Sequence, residues 1–92
     1  VSRARVIGVT GCSHAQFRRY LEPGTPAGTR LVYIDHERTD PPLRGAEVVL
    51  ALHLVSHGFI EWLGRAQVQV RFVRGGWARA RAALVELAQE AP

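Results

Sequence analysis

Short apolar runs alternate with longer amphipathic segments along this chain, and the two periodicities can be told apart. Arg5 to Thr10 (RVIGVT) is an apolar, β-branched run that stops at Gly11, the pattern of a buried strand closing in a tight turn. Ser13 followed three residues later by Gln16 has the spacing of a capping box, and Phe17, Tyr20 and Leu21 then share one helical face until Pro23-Gly24 breaks it. Arg30 to Asp35 (RLVYID) is a second buried strand, and Asp40-Pro41-Pro42 leaves room for no more than a helical turn before Gly45. Ala46 to Leu52 (AEVVLAL) is the third and most apolar strand. A loop over residues 53–56 leads into a helix from Gly58 to Arg65 with Phe59, Ile60, Trp62 and Leu63 on it, and Ser56 is placed to cap it.

Val68 to Val73 (VQVRFV) alternates apolar and polar residues, as a half-exposed edge strand does. Gly75-Gly76 then turns the chain into a last helix, Trp77 to Gln89, with Trp77, Ala80, Leu84, Leu87 and Ala88 along one stripe. Strand, helix, strand, turn, strand, helix, strand, helix is an α/β order. With right-handed crossovers it predicts a small Rossmann-like three-layer sandwich, a four-stranded parallel sheet in order 2-1-3-4 with helices on both faces.

That topology brings the polar residues together. In a 2-1-3-4 sheet the chain leaves strands 1 and 3 in opposite directions, and ligands of such folds sit above the reversal, at the carboxyl ends of the strands. Gly11, Cys12, Ser13 and His14 follow strand 1; Asp35 and His36 end or follow strand 2; His53, Ser56 and His57 follow strand 3; Arg74, Gly75 and Gly76 follow strand 4. All four histidines are therefore expected at one edge of the sheet. Gly11 admits close approach of backbone, and Ser13 and Ser56 stand at helix starts, where free amides and the positive end of the dipole favour an anion. Read alone, each serine is a cap and each histidine a surface residue. Converging at one edge, Gly11, Cys12, Ser13, His14, Asp35, His53, Ser56, His57 and Arg74 form the candidate ligand-binding set.

Two sharper chemistries compete for the same residues. Cys12 and Arg18 have the Cys-x5-Arg spacing of cysteine phosphatases, in which a thiolate attacks phosphorus and the arginine holds the phosphoryl oxygens. The intervening residues contain no glycine, and the Ser13/Gln16 cap would place Arg18 in a helix facing away from the sulfur. A Cys12-dependent phosphatase or phosphotransfer enzyme is thus the alternative reading. Cys12, His14, His53 and His57 are residue types that bind zinc, but no compact ligand pair such as Cys-x2-Cys accompanies them, so no metal is expected. The dinucleotide fingerprint Gly-x-Gly-x-x-Gly is also missing, and no cofactor is expected.

Composition narrows the setting. Ninety-two residues, 47% hydrophobic and 22% charged, suit one globular domain and argue against disorder. The chain begins at Val1 without a methionine, as a domain trimmed from a longer protein would. A core this small makes a homodimer the expected state, with Trp62 and Trp77 on the outer helices as exposed contact residues. A single cysteine suits a reducing compartment, and no apolar run is long enough for a membrane span, so a cytoplasmic location and no membrane partner are expected. All 12 basic residues are arginine, and the net charge is +4. Arginine offers a bidentate fork to phosphate or carboxylate, although an arginine-rich genome would produce the same count. Nucleic-acid binding, if present, would be sequence-blind and salt-sensitive.

Thr10-Gly11, the strand Ala46-Glu47-Val48-Val49-Leu50, then Val55-Ser56-His57, a helix, Val68-Gln69-Val70 and a final helix follow an order that resembles the bacterial family of domain of unknown function 2325 over most of the chain. The Ser-His after strand 3 is the most specific part. Family members commonly carry paired glycines after strand 1 and an aspartate before strand 3, where this chain has Thr10-Gly11 and Glu47. The resemblance implies a small Rossmann-like domain and a shared role for Gly11, Ser56 and His57, and it brings no established activity. The function expected is therefore a non-enzymatic module binding an anion (nucleotide, phosphorylated small molecule or nucleic-acid backbone) at the carboxyl edge of its sheet.

Overall fold

The computed structural model describes residues 5–52 and 55–90. Its sheet has four parallel strands, β1 (Arg5–Thr10), β2 (Thr29–Tyr33), β3 (Val48–Ala51) and β4 (Gln69–Phe72), in the spatial order β2-β1-β3-β4. Val9 pairs with Tyr33 on one side and Leu50 on the other, and Ala51 pairs with Phe72, so the carboxyl ends of the strands finish nearly level. β1 has the bounds of the run that predicts it, and β2, β3 and β4 are one to three residues shorter than theirs. Single hydrogen bonds nevertheless extend the ladder beyond them, from Ile34 N to Val9 O at 2.9 Å and from Glu47 N to Val6 O at 2.9 Å.

The first helix, α1, starts as a single α turn over His14–Gln16, runs on as a π-helical turn over Phe17–Leu21 and closes in a 3-10 turn over Glu22–Gly24, where Pro23 ends it. Its capping box is formed as the sequence implies: Gln16 N donates to Ser13 Oγ at 3.1 Å, and Ser13 N to Gln16 Oε1 at 3.1 Å. Helix α2 spans His57–Arg65 and α3 spans Trp77–Gln89. Residues 34–47 cross from β2 to β3 without a helix, and Asp40 and Arg44 adopt left-handed backbone there (φ 50° and 55°).

Alternation along the strands sorts the core into two layers. Ile7, Val9, Val48 and Leu50 point to one face and pack with Phe17 and Leu21 of α1 and Ala80, Ala83, Leu84 and Leu87 of α3. Val49 points to the other, against Phe59 and Leu63 of α2, with Ile34 alongside. Crossovers that leave β1 and β3 in opposite directions, each right-handed, put α1 and α2 on opposite faces. Gly8 belongs to this α2 face: a Cβ there would lie 2.5 Å from Ile34 Cδ1.

Both tryptophans depart from expectation. Trp77 is half-buried and stacks on Tyr20 with centroids 4.8 Å apart, and Trp62 packs against the α2 core, so the helix stripes are used up on the sheet. Among the described residues, the large apolar side chains left exposed are instead Phe72, 61% exposed, and Val85, 44% exposed. No helix among the described residues is long and apolar enough to cross a membrane.

Candidate functional site

The carboxyl edge is organised around the exit of β1. Gly11 has φ +91°, and a Cβ on it would stand 2.8 Å from the carbonyl oxygen of Leu52, just after β3. Leu52 N in turn donates to Thr10 O at 3.0 Å. Only glycine allows this approach, as the sequence implies, but the backbone it admits is that of Leu52. Backbone from the two turns thus meets at the point of topological reversal, and Leu52 lines clefts beside it.

Cys12 follows directly and turns inward. It is 2% exposed, packed in the layer of Phe17 and Leu21, and burial pushes its thiol up to about 11. Its carbonyl oxygen accepts a hydrogen bond from the Tyr33 hydroxyl at 2.7 Å. Burial, with the Asp35 carboxylate next in weight, holds the Tyr33 phenol above its ordinary range and keeps that donor protonated. Phe17 N donates to Ser13 O at 3.0 Å, so residues 14–17 are already helical and Arg18 is an exposed helix residue. Cysteine phosphatase chemistry asks for an accessible thiolate and a loop of free amides; here the thiol is buried and protonated, and the segment is wound into a helix.

Of the remaining candidates, Ser13 and Ser56 are both helix caps on opposite faces of the sheet. Ser56 Oγ accepts from Phe59 N at 3.2 Å, and Ser56 O accepts from Ile60 N at 3.1 Å. His53 lies outside the described residues. Among the described residues, no group of three or more His, Cys, Asp or Glu side chains is placed to hold a metal ion.

The other four candidates divide between two clefts. The first, about 540 Å³, opens between the ends of β3 and β4 and the start of α2. Val55, Ile60, Phe72 and Val73 form apolar walls, and among the described residues His57 and Arg74 are the ionisable side chains lining it. His57 is the first residue of α2 and Arg74 lies two residues beyond β4, so an imidazole, a guanidinium and a helix N-terminus converge, with no carboxylate among the described lining residues. The second cleft, about 440 Å³, lies beyond the β2 edge and holds His14, Tyr33, Asp35, Arg38 and Arg44. The His14 ring is 5.0 Å from that of Tyr33, and Asp35 Oδ1 accepts from Glu37 N at 3.0 Å, an Asx turn that starts the 34–47 crossing.

The expected single pocket is therefore two: His57 and Arg74 on one side, His14 and Asp35 on the other. Gly11, Cys12, Ser13 and Ser56 support the turns between them and line neither. Sequence reasoning passes over Ile60 and Phe72 as lining residues because a periodic apolar position reads as core. It passes over Arg38 and Arg44 because they lie on an aperiodic segment with no strand or helix to place them. No family model matches this chain, and no curated protein or solved structure matches it.

Proposed function

We propose that this domain is a non-enzymatic binding module for a small anionic molecule, a nucleotide or another phosphorylated compound, held in the cleft of His57 and Arg74. The observation that carries this reading is the composition of that cleft. Its walls are apolar, and the ionisable side chains among its described lining residues are a histidine and an arginine. Ligand sites are typically apolar concavities of about 300 to 1,000 Å³ in which a few polar groups set orientation. Phe72 and Ile60 offer surface to a base or similar flat body, while Arg74 provides the fork that matches a phosphate. Ser56 spends its side chain and carbonyl on the amides of Phe59 and Ile60, which leaves the first amides of α2, those of His57 and Gly58, at the mouth of the cleft.

The buried, protonated Cys12 supports a binding role over phosphotransfer. A cleft of this size favours a small molecule over a nucleic-acid backbone, which remains a competitor in the test. Calorimetric titration with adenosine monophosphate, inorganic phosphate and a duplex oligonucleotide separates the three. The mononucleotide should bind with a dissociation constant of about 0.1 to 1 mM, phosphate more weakly, and Arg74→Ala should weaken both about tenfold, the loss of one charge-assisted contact. Equal affinity of wild type and Arg74→Ala for the mononucleotide would overturn the assignment.

A further inference from the structure

The two edges of the sheet are finished differently. Beside β2, Arg30 Nη2 donates to Arg44 O at 3.3 Å, so the 34–47 crossing is drawn back along that edge. β4 pairs with β3 on one side and forms the other border of the sheet. Val73 N donates to Ala51 O at 3.0 Å, so the alternation of a strand turns the amides of Val70 and Phe72 outward. Unpaired edges are ordinarily guarded by charge or proline. β4 has no proline, and its one charge is withdrawn: Arg71 Nη2 donates to Glu90 Oε2 at 2.7 Å, and its Nη1 is 3.7 Å from Glu86 Oε2. Phe72, meanwhile, is the most exposed large apolar side chain described.

Charge along this border is ordered. Helix α3 runs back against β4, as the bond from Arg5 Nη1 to Glu90 O at 3.0 Å shows by tying the end of α3 to the start of β1. Arg74 and Arg79 therefore stand at the carboxyl end of β4, and Glu86 and Glu90, both paired with Arg71, come after them along α3 toward the strand's amino end. Between them runs a shallow groove of about 320 Å³ lined by Arg71, Arg79, Ala82, Ala83 and Glu86, among others. Such a surface is complementary to itself when turned end for end.

We propose that this border binds a second copy of the chain, β4 against β4 in antiparallel order about a two-fold axis. The outward amides and carbonyls of Val70 and Phe72 pair across the axis and join the two sheets into one of eight strands. On the α2 face, Phe72 of each copy covers Val70 of the other, a pairing of aromatic and β-branched side chains that antiparallel ladders favour. On the α3 face, Arg74 and Arg79 of each copy face Glu86 and Glu90 of the other. Arg71 of each copy meets its counterpart at the axis, where Glu86 and Glu90 of its own chain offset the repulsion. Phe72 and Arg74 are shared with the cleft of His57, whereas Arg79 and Glu86 do not line it, so reversing their charges tests the interface apart from the ligand.

Charge reversal tests the geometry. In sedimentation equilibrium at about 50 μM the wild-type chain should run at twice its 10.2 kDa mass. Arg79→Glu alone and Glu86→Arg alone each place like charges at two symmetric contacts and should weaken the dimer about tenfold, as the loss of two exposed pairs at once would. An equimolar mixture of the two variants restores opposite charges at both contacts and should recover the dimer. Phe72→Lys, at an exposed position that the monomer does not need, should give a monomer with an unchanged far-ultraviolet circular dichroism spectrum. A wild-type monomer at about 100 μM, a Phe72→Lys dimer, or a mixture no more associated than its two components would overturn the proposal.

Discussion

The Cβ that Gly11 lacks would stand 2.8 Å from Leu52 O, closer than real Cβ contacts come. Leu52 cannot withdraw, because its own amide is bound to Thr10 O at 3.0 Å, one residue before the glycine. The turn after β1 and the turn after β3 are thus locked backbone to backbone. Gly11 therefore lines neither the cleft of His57 nor that of His14.

Gly11→Ala should accordingly be severe. It combines a left-handed φ of +91° with a clash against backbone that has nowhere to move. Gly28 is the natural comparison, with φ +75° and nothing within 4 Å of the position a Cβ would take. We expect Gly28→Ala to cost about 1 kcal/mol, the strain alone, and Gly11→Ala to cost at least about 3 kcal/mol or prevent folding. Urea denaturation of both variants checks this, and similar losses at the two sites would show that the Leu52 contact yields easily.

Cys12 makes stability depend on alkaline pH. Its thiol lies at about 11 in the folded protein against an ordinary value of 9.0. Below pH 9 the thiol is protonated in both states, and its contribution is fully present. As pH rises from about 9 to about 11 the unfolded chain loses the proton first, so stability falls, by on the order of 2 kcal/mol. Cys12→Ala should start less stable, by about 1 kcal/mol for the lost packing, and lack that alkaline decline. Denaturation midpoints of both proteins between pH 8 and pH 11 give the comparison, and parallel curves would rule the thiol out as the cause. For the same reason, labelling of Cys12 by a thiol reagent should be slow under native conditions and fast in urea.

The two serine caps should be alike in stability and unlike a binding residue. Ser13→Ala and Ser56→Ala each remove a hydrogen bond to a first-turn amide and should cost about 1 kcal/mol. Neither change should alter the stabilisation that phosphate produces. His57→Ala, at an exposed position, should leave the baseline nearly unchanged but flatten the phosphate-dependent rise. An anion held with a dissociation constant of about 1 mM adds about 2.7 kcal/mol at 100 mM, a rise on the order of 10 °C in a domain of this size. Sulfate and phosphate also stabilise proteins through exclusion from their surfaces, so the variant comparison is the deciding one. A His57→Ala protein that gains as much from phosphate as wild type would remove the histidine from the site.

Aromatic stacking on the opposite face is open to a similar test. Tyr20 and Trp77 lie 4.8 Å apart at an interplanar angle of 15° and hold α1 against the start of α3. Trp77→Ala should destabilise by about 3 kcal/mol, the cost of losing a large, half-buried aromatic, and the intrinsic tryptophan fluorescence left in that variant reports Trp62 alone. A loss under about 1 kcal/mol would mean the stripe of α3 packs on the sheet without it.

Much of this architecture is legible in the order of residues because local periodicity and chain direction carry it. A continuous apolar run places β1 and three-to-four spacing places α3, and the capping box at Ser13 and Gln16 announces the start of α1 from three residues of separation. Right-handed crossovers then leave little choice of strand order, and the alternation in residues 68–73 already marks β4 as an edge. The division of the carboxyl edge is not legible. Whether His57 meets Arg74 or His14 depends on how two turns forty residues apart pack, and that is set by the contact of Gly11 with Leu52. Nor does a tryptophan on a helix reveal its own exposure: Trp62 and Trp77 are covered by neighbours brought in by the fold, while Phe72, in a strand that reads as half-buried, has no neighbour on its outer side. Spacing along the chain expresses interactions within a turn or a strand. Burial and convergence belong to surfaces assembled from distant segments, and here only the packed sheet decides them.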